Sequence, residues 1–184
     1  MNLCFYFSFF IFFCNVFNSI SAQENWRVFN PNDRSFELLA PYPMKSGEKK
    51  LLTDVGELHP VTWICEGQKN DDNYLYLVAF VDYPNGTFHK DSISLINELF
   101  KVSMETHIAD LGGELVYEAD ASLDYFKGKI YRASYNQNKL VAKCRMILVG
   151  DRFYTLQVYT LSEKSLNDKI SKFLNSFKVI RVVE

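Results

Sequence analysis

Few side chains in this chain of 184 residues are suited to chemistry. Its cysteines are Cys4, Cys14, Cys65 and Cys144, and its histidines are His59, His89 and His107. A thiolate can act as nucleophile or soft ligand, and an imidazole as the base or ligand beside it. A zinc site would show Cys-x-x-Cys or His-x-x-x-His spacing, and neither occurs. His59 precedes Pro60, His89 falls in a turn, and His107 sits at the edge of a helical apolar stripe, where packing is expected of it. Asn70-Asp71-Asp72-Asn73 lacks the alternating acids and the distant bidentate Glu of a calcium loop, so it is expected to be a solvated loop. No Gly-x-Ser-x-Gly elbow, phosphate-binding glycine loop or dinucleotide fingerprint occurs. Gly112-Gly113 leads into a strand, so it ends a helix and does not cradle an anion. Arg145 and Arg152 flank a hairpin with planar forks suited to anions, but Arg152 is expected to be an ordinary surface charge beside a turn. Asn85-Gly86-Thr87 fits the glycosylation pattern, which matters only in a cell that glycosylates. No catalytic, cofactor-binding or metal-ligating residue is therefore assigned, and no cofactor is expected. The one catalytic option left is Cys65 or Cys144 acting as a thiol nucleophile with a histidine brought near by folding.

Composition narrows the classes further. Net charge is −2, and Lys/Arg alternate with Asp/Glu, which gives no electrostatic footprint for nucleic acid or anionic lipid. Residues Leu3 to Phe17 are almost unbroken apolar, and the small residues Ser19, Ser21 and Ala22 follow. That is the pattern of a secretory leader, expected to be cleaved after Ser21 or Ala22. It is short for a membrane span, which needs about 20 apolar residues. The lack of a Lys or Arg before the run is the one feature that favours a retained anchor. Export, to a periplasm or the extracellular space, is the expectation, with no membrane span after cleavage. Only Cys65 and Cys144 then remain, and they are expected to be unbridged, buried and hydrophobe-like.

The elements that must position these residues follow from period and turn chemistry. Residues 23–35 are polar and expected to form an irregular arm. Phe36–Leu39 carries a strand signal stopped by Pro41 and Pro43, and Ser46–Lys50 suggests a solvated loop. Val61–Cys65 and Tyr74–Val81 suggest strands, the second apolar at nearly every position and so covered on both faces. Ile93, Ile96, Leu99, Phe100, Met104, Ile108 and Leu111 keep helical spacing, with Asp91 or Ser92 available as the cap and Gly112-Gly113 as the stop. Leu115 to Tyr159 suggests a meander of strands. Within it, Gly150-Asp151 makes a two-residue turn that sets Val149 opposite Arg152 and Ile147 opposite Tyr154. Both faces of that hairpin are apolar, so layers are expected on both sides of the sheet. A last helix is expected from Ser162, with a Leu161–Leu166 staple and a buried stripe of Leu166, Ile170, Phe173 and Leu174. Ser176–Val183 suggests a final strand.

The stretch Arg145-Met146-Ile147-Leu148-Val149-Gly150-Asp151-Arg152-Phe153-Tyr154-Thr155-Leu156-Gln157-Val158, with Phe173-Leu174-Asn175-Ser176-Phe177 after it, resembles exported bacterial domains of unknown function grouped with the PsbP and Mog families. The resemblance spans roughly Phe36 to Val182. It implies an α+β fold in which an antiparallel sheet is sandwiched between helices, an α/β/α sandwich. PsbP proteins are extrinsic photosystem subunits in a lumen, and Mog proteins bind a small GTPase. What the resemblance implies for function is a non-catalytic binding role, and no functional residue is matched. The expected organisation is a signal peptide (1–22), an irregular arm (23–35) and one α+β domain (36–184). The expected function is an exported, monomeric, non-catalytic domain that binds a protein or envelope component. The alternative is a small exported thiol-dependent enzyme.

Overall fold

The computed structural model describes residues 26–181, apart from 49, 54, 55 and 90. The predicted leader, the start of the predicted arm and the end of the predicted final strand lie outside the described residues. In chain order the first strands are β1 (Arg27–Phe29), β2 (Phe36–Ala40), β3 (Lys45–Glu48), β4 (Leu51–Thr53), β5 (Gly56–Leu58), β6 (Val61–Glu66) and β7 (Asn73–Asp82). Helix α1 (Ile93–Asp110) follows, then β8 (Glu114–Asp120), β9 (Gly128–Tyr135), β10 (Leu140–Val149) and β11 (Arg152–Leu161). A short 3-10 turn (Ser162–Lys164), helix α2 (Asp168–Asn175) and β12 (Lys178–Val179) complete the order.

Seven strands form one antiparallel sheet in the order β3-β6-β7-β11-β10-β9-β8. Its spine is the β10–β11 hairpin, paired Val149 to Arg152, Leu148 to Phe153 and Ile147 to Tyr154, the register the two-residue turn predicts. Gly150 takes φ +59°, which glycine tolerates without steric cost at that first turn position. Because side chains alternate, Cys144, Met146 and Leu148 of β10 face α1, where Ile96, Phe100 and Met104 meet them. Ile147 and Val149 face the other way, against Ile170, Phe173 and Leu174 of α2. The sheet therefore separates two cores. Each fully buried Phe or Leu contributes about 1.5–3 kcal/mol relative to exposure, so both layers are needed to keep the hairpin dry.

The helix α1 ends as its glycines require. Gly112 at φ +58° donates its N–H to the Ala109 carbonyl, and Gly113 donates to Ile108, closing the last turn. Its start differs from expectation: Ser92 holds the cap position, but its side chain makes no capping bond. Ile93 is also turned outward instead of joining the stripe.

Three further differences have physical causes. The predicted irregular arm contains β1, an edge strand whose Val28 pairs with Leu39 of β2. The α2 layer is accordingly a helix plus a small sheet of order β1-β2-β12. Residues 46–48 of the expected loop 46–50 belong to β3, which is exposed throughout and ordered only by pairing with β6. The last helix does not start at Ser162, where the chain makes only the 3-10 turn; Asn167 caps α2 instead, its Oδ1 accepting from the Ile170 N–H. Leu161 and Leu166 are therefore exposed and form no staple, while Ile170, Phe173 and Leu174 are buried as expected.

Candidate functional site

The sheet brings together two of the residues on which thiol chemistry would depend. His107 on α1 points at the sheet, and its Nδ1 lies 3.9 Å from the Sγ of Cys144 on β10. The same imidazole is held between two phenols, Nδ1 at 2.7 Å from the Tyr131 hydroxyl and Nε2 at 2.9 Å from that of Tyr159. Tyr159 donates its proton to Gln157 Oε1, 2.6 Å away, so it accepts from His107. This places the imidazole proton on Nε2 and leaves Nδ1 to accept from Tyr131. Burial lowers the His107 pKa, with Asp110 opposing in part, so the ring is kept neutral. Burial pushes the Cys144 thiol up to about 12, and Cys144 is 1% exposed. At neutral pH this is a protonated, sealed thiol, not the low-pKa accessible one that nucleophilic catalysis uses. Cys65 lies in the core on the other side of the sheet, its thiol likewise raised by burial, to about 11. The two cysteines are free, and the sheet stands between them.

The other residues singled out are also committed to the fold. Arg152, expected on the surface, is 5% exposed. It donates to Asp33 Oδ2 at 2.6 Å and Asp82 Oδ2 at 2.7 Å, and its guanidinium lies 3.7 Å over the Phe80 ring. Burial alone would lower its pKa, but the two carboxylates outweigh that and hold it charged. Arg145 is buried too and donates to the Leu174 carbonyl at the end of α2, where the helix dipole favours a cation. Neither fork faces an open anion site. Asp71 is no solvated loop acid: its side chain is 1% exposed and it accepts from the Tyr42 hydroxyl at 2.8 Å and Lys169 Nζ at 3.1 Å. Burial pushes its carboxyl upward, and those two bonds outweigh it, so its pKa is held below the usual carboxylate range. His59 lies 3.1 Å from Glu57 at the surface, and Asn85 is exposed in a turn. Among the described residues no group of three or more His, Cys, Asp or Glu side chains is placed to hold a metal ion.

Helix α1 also carries apolar surface that faces outward. Tyr83, Phe88, Leu95, Leu99 and Val102 line a shallow groove between the helix and the loop after β7. That loop is pinned by Asp151 of the hairpin turn, which accepts from the Gly86 and Phe88 N–H groups at 2.7 Å each. Leu95 is 42% and Val102 51% exposed. The signal for this surface is in the sequence: Leu95, Leu99 and Val102 repeat at i, i+4, i+7, a second apolar stripe beside the core-facing one. The core-facing stripe of Ile96, Phe100 and Met104 already accounts for the helix's period and masks this second one. No helix among the described residues is long and apolar enough to cross a membrane.

No family model matches the sequence, and no curated protein does. In structure the chain is similar to the solution structure of cyanobacterial PsbP (CyanoP) from Synechocystis sp. PCC 6803, with a TM-score of 0.58 at 13% identity, over 85% of this chain and 93% of that one. A crystal structure of a protein of unknown function from Pseudomonas aeruginosa, PA94, a putative regulator, aligns at a TM-score of 0.39 and 10% identity, over 79% of this chain and 90% of that one. A score that low carries no argument. The fold is PsbP-like, as the sequence resemblance implies.

Proposed function

We infer that the chain is an exported, non-catalytic domain that binds a protein or another envelope component. The observation that carries this reading is the contrast on α1. Its inward face holds His107 neutral beside a sealed thiol, while its outward flank leaves Leu95 and Val102 uncovered. Exposed apolar clusters bordered by polar residues are a common mark of interaction sites. Export rests on the apolar run and small residues that open the sequence.

The test replaces Val102 with a photo-crosslinking amino acid in the native cell. A discrete protein adduct that disappears in a Leu95→Asp background supports the reading, and its absence from every surface position tried overturns it. Alkylation separates the thiol-enzyme alternative. Native Cys65 and Cys144 are expected to label only as fast as the protein opens, and rapid stoichiometric labelling of Cys144 would favour the enzyme.

A further inference from the structure

The two edges of the seven-stranded sheet are treated differently. The β3 edge is four residues long, contains Gly47 and Lys45, and follows Pro43, features that discourage a further strand. The β8 edge is seven residues long, every one exposed, and Leu115, Val116 and Tyr117 are consecutive uncovered apolar side chains. It has no proline and no lysine. Its outer side pairs with no strand among the described residues.

The strand is irregular at Val116, where the pairing with β9 shifts by one residue. Leu115 lies opposite Ala133 and Glu118 opposite Tyr131, so the bulge turns both toward the α1 side of the sheet. With Asp120 and Lys129 they border a groove whose other wall is Asn97, Lys101, Met104 and Glu105 of α1. This flank of the helix is the one turned away from the Leu95–Val102 groove.

Charge decides what suits this edge. The strand carries Glu114, Glu118 and Asp120 and no cation. Lys129 alone serves two of them, at 3.2 Å from Asp120 and 3.8 Å from Glu118, while Asp120 is 89% exposed. A second copy of the chain is disfavoured. Antiparallel pairing of β8 with itself about Tyr117 sets Glu114 opposite Asp120, and one residue earlier it sets Glu114 opposite Glu118. Like charges directly opposite destabilise a ladder. An extended basic segment has the opposite balance.

Resting on the binding role argued above, we propose that β8 receives an extended segment of a partner protein as an added antiparallel strand. Its lysines or arginines lie toward Glu118 and Asp120, and an apolar residue further along the same face lies toward Leu115. Backbone hydrogen bonds hold such a strand, and the alternating side chains select it.

The probe is a capped seven-residue peptide, Lys-Thr-Lys-Thr-Val-Thr-Val, whose two Lys and two Val share one face, titrated into the full chain and followed by amide NMR shifts and hydrogen exchange. Saturable shifts and slowed exchange in Tyr117–Asp120 are expected. The same peptide with Glu for Lys, or with its amides N-methylated, should give neither. Glu118→Lys combined with Asp120→Lys should weaken binding at least about ten-fold, since like charges then face each other. Asp120→Asn, at an exposed position, gives a smaller loss in the same direction if the double variant does not fold. No saturable shift, shifts confined to other elements, or equal binding of the Glu peptide would overturn the proposal. Photo-crosslinking separates it from the broader reading. An adduct through Val102 but none through Tyr117 keeps the binding role and overturns the β8 assignment.

Discussion

Arg152 ties its own strand to two separated parts of the chain: to Asp33 before β2, and to β7 through Asp82 at its end and the Phe80 ring beneath the guanidinium. Breaking a buried ion pair costs about 3–5 kcal/mol, and because the Asp82 side chain is 51% exposed the low end applies here. Arg152→Ala is therefore expected to lower the denaturant midpoint by an amount equivalent to about 3 kcal/mol. Arg152→Lys should recover only part of this, because one ammonium cannot bridge two carboxylates and lie flat on a ring. Full recovery by lysine would show that charge alone matters. His107 gives a second test at this scale. Its folded pKa is lowered by burial, so as pH falls the unfolded chain takes up the proton first, near the ordinary value of about 6.5. Stability from this group is complete above that value and declines below it, until the folded form protonates as well. Thermal melts between about pH 7 and pH 5 should show a steeper fall for the native protein than for His107→Gln. Parallel curves would mean that the ring titrates equally in both states.

Among the elements, α2 is short and depends on tertiary contact for its order. An eight-residue helix is marginal alone, so its cap at Asn167 and the burial of Ile170, Phe173 and Leu174 must hold it. Phe173 is 0% exposed and packs against Tyr76, ring centroids 5.3 Å apart. Phe173→Ala is expected to cost about 3–5 kcal/mol, a large part of a domain's stability. Leu166→Ala, at a residue 87% exposed, should stay within about 0.5 kcal/mol. Comparable losses from urea melts of the two variants would place Leu166 against the core and contradict the observed start of α2. The contrast also shows how a sound local signal can mislead. Leu161 and Leu166 have staple spacing, but Ser162–Lys164 forms a 3-10 turn before the helix, and both leucines face water.

For the whole molecule, the sheet is a partition. Cys65 belongs to the core under α2 and the small sheet, and Cys144 to the core under α1. A bridge needs Cα atoms within about 7 Å and Cβ vectors that converge, which opposite faces of a sheet do not offer these two residues. Peptide mapping without reduction should therefore recover the Cys65 and Cys144 peptides separately, even after purification under oxidising conditions. A linked peptide would mean that the layers are not arranged as described. The partition also places polar networks on both sides: His107 with its two tyrosines on one, Asp71 with Tyr42 and Lys169 on the other.

The sequence alone determined the features whose causes are local. The β10–β11 register follows from a two-residue turn and period-two alternation. The end of α1 follows from Gly112, and the docking face of α2 from the spacing of Ile170, Phe173 and Leu174. Layers on both sides of the sheet are legible because a hairpin apolar on both faces requires two covers. Tertiary structure alone decided which polar groups are buried. Arg152 meets Asp33 across 119 residues of sequence, and Asp71 meets Lys169 across 98. Local composition beside a turn carries no sign of such partners. The same holds for Cys144 and His107, 37 residues apart, and for β3, a strand only because β6 offers it a ladder. Hydrogen bonds and ion pairs depend on distances of a few ångströms, which the chain's path sets, whereas period and turn chemistry are written in neighbouring residues.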